Sequence, residues 1–171
     1  MFKYVFRPYD PIYPKRLTRE KNRLKKFLGK DVLIEHIGST SIPGMGGKGI
    51  IDIAVAASSK NDLLEVSSKL VEIGYYYNQE DGTEDRWFHG RKVSDKERYH
   101  LHLTFRGSKD WKEMISFRDY LKTHPEDFKK YEEIKKMAVE TANQDKEIYI
   151  KIKEPMILDI LNKALNEFVF K

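Results

Sequence analysis

Cysteine is missing from all 171 residues. Disulfides and thiolate metal sites are therefore excluded, and the absence fits a reducing compartment. Long apolar runs are missing as well: none approaches the roughly 18–20 residues that a membrane span needs, so no membrane partner is expected. The opening MFKYVFRPYDP has neither the apolar core nor the small-residue cleavage site of a signal peptide, and a cytoplasmic protein is expected. There is no internal repeat, no low-complexity run and no linker. What remains is 40% apolar and 35% charged, with a mean hydropathy of −0.66, the balance of a folded soluble chain. Its length suits one domain over residues 1–171, with a sheet-containing core over 1–108 and a helical part over 109–171 packed on it.

The net charge of +5 is unevenly placed. Residues 1–30 hold ten Lys/Arg against two acids, whereas residues 31–105 hold eight against twelve. The positive potential thus gathers on the N-terminal arm and the first helix, which favours anionic partners, RNA among them. That helix is expected from Lys15 to Leu28, with Leu17, Leu24, Phe27 and Leu28 on a narrow stripe, basic residues 15–26 around it and Gly29 as its end. Residues 2–6 alternate weakly and read as a short edge strand.

Strands are expected over Asp31–Ile37 and Gly49–Ala56, the second almost continuously apolar, as a strand covered on both faces would be. An amphipathic helix follows over Asn61–Gly74, with Leu63, Leu64, Leu70, Val71 and Ile73 inward. Arg86–Val93 and Arg98–Phe105 form an antiparallel pair joined at Ser94–Glu97. The remainder reads as helices: one around Trp111–Leu121, one opened by the capping-box pattern Thr123-His124-Pro125-Glu126, and one over 146–168 interrupted or restarted at Pro155.

Chemistry-bearing groups concentrate in IEHIGSTSIPGMGGKGIIDIAVA, residues 34–56. Gly38 allows a sharp turn, and the hydroxyls of Ser39, Thr40 and Ser41 with the backbone N–H groups suit a phosphate. Neither the Walker spacing nor G-x-G-x-x-G is present. Asp52, on the following strand, is the one acid in an apolar run, and burying a carboxylate costs several kcal/mol unless it is paired or metal-bound. It either binds a divalent metal beside the phosphates or pairs with Lys48 or Arg98, themselves phosphate partners. His100 and His102 share a strand face roughly 7 Å apart. With His36 and Asp52 they make an N/O ligand set suited to Zn²⁺, Mn²⁺ or Fe²⁺, or they are half-exposed histidines on a polar sheet face. His89 belongs to the neighbouring strand and can join them. A serine triad finds no support, since no nucleophile-elbow pattern occurs. Tyr75–Tyr77 and Trp87 can stack on a base or fill the core.

These residues are also recognisable. HIGSTSIPGMGGKGIIDIAV resembles the signature of the GrpB family, which occurs alone and fused to dephospho-CoA kinase. ERYHLHLTFRGSKDW resembles that family's histidine-strand segment, SFRDYLKTHPEDFKKYEEIKK its helical segment, and Tyr149, Lys151 and Lys153 its terminal helix. The resemblance implies an α/β, nucleotidyltransferase-like fold: a mixed β-sheet flanked by helices with a helical C-terminal part. It also implies that Gly38 and Ser39 hold a triphosphate and that Asp52 binds Mg²⁺. The D-x-D pattern of nucleotidyltransferases is reduced here, because Ala54 stands where a second acid would be.

Three readings follow. In the first, the protein is a metal-dependent transferase that uses a nucleoside triphosphate or another phosphorylated small molecule. Gly38, Ser39, Thr40 and Lys48 bind phosphates, and Asp52, Ser39 and Arg98 act in catalysis. Asp52, His36, His100 and His102 hold Mg²⁺ or Mn²⁺, with Zn²⁺ as an alternative. In the second, it is a catalytically reduced module that binds a nucleotide, coenzyme or RNA through the same cleft and the basic helix. In the third, His36, Asp52, His100 and His102 form a metal-dependent hydrolase.

Overall fold

Helix α1 (Tyr13–Leu28) starts where Pro14 fixes the first turn and stops where Gly29, at φ +88°, leaves the right-handed region. The computed structural model describes residues 5–29 and 31–169. Most of the edge strand expected over 2–6 lies outside the described residues. Arg7 instead exchanges two backbone hydrogen bonds with Gly47, at 2.8 and 2.9 Å, tying the entry segment to the glycine-rich loop.

The chain continues through β1 (Leu33–Ile37), a single 3-10 turn at Ser39–Ser41, β2 (Ile51–Ala57) and α2 (Leu63–Glu72). Then come β3 (Tyr76–Asn78), β4 (Trp87–Ser94), β5 (Glu97–Phe105), α3 (Lys109–Thr123), α4 (Pro125–Ala142) and α5 (Lys146–Val169). The α/β class and the mixed sheet expected from sequence are both present. The five strands lie in the order β1-β2-β5-β4-β3, antiparallel throughout except between β2 and β5, which run parallel. A parallel pair needs a long crossover, and α2 with the β3–β4 segment supplies it.

Alternation assigns each strand two faces. On one, Ile34, Ile53, Val55, Leu101 and Leu103 meet Tyr13, Leu24 and Leu28 of α1 and Leu63, Val66 and Leu70 of α2 in a single core. On the other stand Asp52, Ala54, His100 and His102, facing the C-terminal helices. Those helices have their own core of Tyr120, Leu121, Tyr131, Ile160 and Ala164, into which Ile42 and Met45 of the glycine-rich loop insert. The loop is thus clamped from two sides. Among the described residues no helix is long and apolar enough to cross a membrane.

Four local expectations are corrected. Helix α2 begins two residues late, after a 3-10 turn at Lys60–Asp62, and its buried stripe is Leu63, Val66, Ser67 and Leu70. Leu64 and Val71 therefore point to solvent, 67% and 50% exposed. Phe27, placed on the inward stripe of α1, is likewise exposed. The capping box at Thr123 does not form: His124 occupies the cap position without a side-chain bond, and the Thr123 hydroxyl turns back to the carbonyls of Asp119 and Tyr120, closing α3 instead. Helix α5 runs through Pro155 unbroken.

Candidate functional site

The turn after β1 depends on Gly38, whose φ of +67° lies in the left-handed region. A side chain there would also meet Asp52, because an added Cβ would sit 2.9 Å from that residue's Cβ and Cγ. Glycine is required twice over, by backbone conformation and by the close approach of the carboxylate. The Ser41 hydroxyl donates to the Gly38 carbonyl at 2.6 Å and holds the turn tight, leaving Ser39 at its apex beside Gly47.

Asp52 is the second residue of β2, and the parallel register sets it against His100 of β5. Its Oδ1 lies 3.4 Å from His100 Nδ1 and 4.0 Å from His102 Nε2. Burial pushes the carboxyl up, but His100, His102 and Lys48 outweigh it and hold the group below the ordinary carboxylate range. Asp52 is therefore ionised at neutral pH. His102 is fixed from behind. Arg86 Nη1 donates to its Nδ1 at 2.9 Å while Arg86 Nε reaches Asp110 at 3.2 Å. Burial, Arg86 and His100 press the His102 imidazole down to about 4 against the pull of Asp52, so it is neutral. Phe88 packs edge-on against both histidines, with ring centroids 4.9 and 5.6 Å away.

Three lysines from three different segments close the cleft over Asp52. Lys48 comes from the glycine-rich loop, Lys135 from α4 and Lys153 from α5. Together with Gly38, Ser39, Tyr131 and Tyr149 they line a cavity of about 170 Å³, and Asp52 is the one acid among the described residues lining it. Aromatic rings hold the ammonium groups in place. The Nζ atoms of Lys48 and Lys153 lie 4.9 and 4.2 Å from the Tyr149 ring centroid, and that of Lys135 lies 5.0 Å from the ring of Tyr131. Lys135, 3% exposed, also donates to the Gly46 carbonyl. Burial lowers the pKa of all three lysines, Lys48 among them, and brings Lys135 to about 7 with Lys153 contributing and Lys153 to about 8 with Lys48 contributing. Two wider spaces open from this cavity. One, of about 390 Å³, runs past His100 to Arg98, Lys92 and Tyr76. The other, of about 500 Å³, runs past His102 to Arg86, Asp110 and Glu113.

The structure thus brings together Gly38, Ser39, Lys48, Asp52, His100 and His102, with Arg98 on the same strand face as His100. Three expected members stand elsewhere. His36 is set against Ile53, so it points to the face opposite Asp52, where its Nε2 shares a 2.9 Å hydrogen bond with the Thr40 hydroxyl. Thr40 is 2% exposed, and its hydroxyl staples the turn to β1 rather than facing the cavity. His89 is set against Leu101 on the same wrong face, fully buried and bonded to Ser67 at 2.8 Å. Helix α1 covers that face too, so the basic segment 15–26 cannot wall the cleft. Its Arg16 and Arg19 pair with Glu97, and Arg23 pairs with Glu20.

These donors do not fit the metal centre that the resemblance implies. Arginine has no acceptor, so the bond from Arg86 consumes the one lone pair of the His102 imidazole and places its proton on Nε2, facing Asp52. The other carboxylates along the cleft each face a cation: Asp110 faces Arg86, Glu113 faces the exposed Lys109 and Asp81 faces Lys146. Among the described residues no group of three His, Asp or Glu side chains is arranged to hold a metal ion. The four-ligand set with His36, on which the hydrolase reading rests, is not assembled.

Lys135, Lys153, Tyr131, Tyr149 and Arg86 were not assigned to the site from sequence. A signal for three of them exists. Lys135 falls on the stripe Tyr131, Lys135, Ala138, Ala142 that α4 buries, and a lysine on a buried stripe calls for an explanation. Tyr149 and Lys153 stand one helical turn apart in the segment that resembles the GrpB terminal helix.

The family model described as GrpB protein matches residues 4–163. The glutamate-rich protein GrpB of Alkalihalophilus pseudofirmus is 36% identical over 159 residues, covering 87% of this chain and 89% of that one. The crystal structure of conserved protein GrpB from Enterococcus faecalis superposes with a TM-score of 0.84 at 27% identity, covering 96% of this chain and 99% of that chain. A dephospho-CoA kinase of Mycolicibacterium paratuberculosis is 27% identical over 92% of this chain, which spans only 45% of that enzyme.

Proposed function

The chain belongs to the GrpB family, and from there we propose that its cleft binds the phosphate groups of a phosphorylated small molecule, a nucleoside triphosphate or a coenzyme, as a nucleotidyltransferase-like module reduced in its catalytic acids. One observation carries this reading: Lys48, Lys135 and Lys153 converge on a cavity whose floor is the Gly38–Ser39 turn. Three ammonium groups collected from distant segments and held by aromatic rings are costly to bury without a counter-charge. Asp52, flanked by two histidines, is the one carboxylate inside the cavity, and Glu132 and Asp81 reach Lys135 and Lys48 only from outside it, which is little counter-charge for the cluster. Charge-assisted hydrogen bonds to phosphate oxygens would satisfy all three. The wider space past His100, with Tyr76 and Arg98, leaves room for the rest of such a ligand. Nucleotidyl or phosphoryl transfer would ask for further acids beside Asp52, and Asp81, Asp110 and Glu113 are paired away. Binding without transfer is therefore the favoured form, the fold by itself being neutral on the question.

The test is thermal stabilisation by ATP and by sodium tripolyphosphate, with adenosine as control, each measured with and without Mg²⁺. At about a hundred times Kd a ligand adds roughly 2.7 kcal/mol of stability. Stabilisation by both phosphates, abolished in Lys48→Ala and Lys153→Met, supports the reading. Stabilisation by neither phosphate under either condition, or equal stabilisation by adenosine, overturns it.

A further inference from the structure

We infer that this site takes its polyphosphate as the free anion, with Lys48, Lys135 and Lys153 standing where phosphate-handling enzymes place divalent cations. The inference rests on the phosphate-binding reading and specifies the ionic form of the ligand. It begins from the donors. A metal that bridges protein to phosphate needs carboxylates with uncommitted lone pairs. Asp52 is the one acid lining the inner cavity among the described residues, and its Oδ1 already faces His100 at 3.4 Å and His102 at 4.0 Å. His102 has spent its lone pair on Arg86. His102 is thus closed to a cation, and Asp52, with its Oδ1 turned to the histidines, is left as the one carboxylate of the cavity, too few to bridge a metal to phosphate.

The cations that would replace it are in place. Lys48 and Lys153 share the Tyr149 ring, which is 4% exposed, so neither ammonium is a surface charge free to swing away. Lys135 is anchored at the Gly46 carbonyl, and the same loop is held from its other side by the Gly46 N–H, which donates to Glu132 at 2.7 Å. An added Cβ on Gly47 would stand 3.7 Å from Lys135 Nζ and 2.6 Å from Ser39 Oγ, so the bare backbone there keeps the lysine and the serine open to one small space. Lys135, held at about 7, is only partly protonated at neutral pH, and Glu132 and Asp81 act on Lys135 and Lys48 from outside the cavity, yet within it the lysines still outweigh the one lining carboxylate. Magnesium bound to a triphosphate cancels two of its negative charges, and a cation-rich pocket gains less from the complex than from the free anion. Asp52 in this arrangement repels the ligand. Its own work is to hold the lysine and histidine cluster together while the pocket is empty.

The two modes predict opposite behaviour for one isosteric change. Sodium tripolyphosphate is titrated calorimetrically into wild type, Asp52→Asn and Lys153→Met, once with EDTA and once with excess Mg²⁺. The free-anion mode gives binding in EDTA, weaker binding in Mg²⁺, and affinity for Asp52→Asn raised roughly tenfold, the scale of one partly screened charge. It also gives a loss of at least about tenfold in Lys153→Met, with circular dichroism confirming that each variant is folded. Binding that appears only with Mg²⁺, or that disappears in folded Asp52→Asn, overturns the inference and leaves phosphate binding standing. Absence of binding in both media overturns the phosphate reading itself, and this inference with it.

Discussion

Arg86 Nη1 donates to His102 Nδ1 at 2.9 Å, and this bond decides which imidazole nitrogen carries the proton. His102 is therefore the Nε2–H tautomer, neutral at physiological pH, with its N–H turned toward Asp52 at 4.0 Å. Long-range ¹H–¹⁵N spectra should show a protonated Nε2 on His102, with the ring titrating near the value of about 4 to which burial presses it. In Arg86→Met the titration should move upward, since a neighbouring positive charge is removed while burial remains. An Nδ1–H tautomer in the wild type would contradict this account, because two donors would then face each other.

Gly38 and Gly74 form a matched pair for separating backbone strain from close approach. Both have positive φ, +67° and +90°, but only at Gly38 does an added Cβ meet anything, namely Asp52. Gly74→Ala should cost about 1 kcal/mol, the ordinary penalty of a left-handed alanine. Gly38→Ala adds a clash with a carboxylate in the middle of the sheet and should cost about 3 kcal/mol or more. Urea denaturation of the two variants measures the difference, and equal losses would show that Asp52 moves aside freely.

Acid should destabilise the fold through its histidines well before its carboxylates titrate. Burial holds His36, His89 and His102 at about 4 each, against an ordinary value of 6.5. Between those values the unfolded chain binds protons that the folded chain refuses, so stability falls as pH drops from 6.5 toward 4 and is fully present above 6.5. Each histidine contributes a slope of up to about 1.4 kcal/mol per pH unit, and the three together up to about 4 kcal/mol per pH unit. Denaturation midpoints at pH 7, 6 and 5 should trace this decline. A flat profile over that range would mean that these rings accept protons within the fold.

Lys153→Met should stabilise the empty protein while removing its anion binding. Burial and the neighbouring Lys48 lower the Lys153 pKa to about 8, a sign that its charge is disfavoured where it stands. Methionine keeps much of the stem that packs on Tyr149 and removes the charge. A gain of about 0.5–2 kcal/mol is expected, the usual scale when a site selected for binding is relieved of its strain. Melting temperatures with and without tripolyphosphate check both halves at once.

The strands and their faces were legible because period-two alternation is carried by the residues themselves: Tyr99, Leu101 and Leu103 against His100 and His102 needed no partner to be read. Register was not legible. The pairing of His36 with Ile53 and of Asp52 with His100 is a property of two strands brought together, and it sends His36 away from Asp52 while drawing His100 toward it. The same limit applied to the helices. The apolar pattern of α4 picks out Tyr131 and Ala138 of its buried stripe but not Lys135, whose place there depends on how the glycine-rich loop folds over it. In α2 the inward stripe is narrower than the apolar residues alone suggest: Leu64 and Val71 follow buried Leu63 and Leu70 by one residue, about 100° round the helix, and face solvent.

The clamp on the glycine-rich loop has a kinetic consequence. Lys135 reaches Gly46 across 89 positions of chain, and Arg118 of α3 reaches Glu35 of β1 across 83. Contacts of such sequence separation must overcome loop-closure entropy before they contribute stability, so they belong to the late steps of folding. A chain that has formed only its sheet and loop holds one of the three lysines, one that has formed only its C-terminal helices holds two, and neither has a closed cavity. The cavity therefore closes only once the two parts have docked, and any ligand it takes would bind that docked state alone.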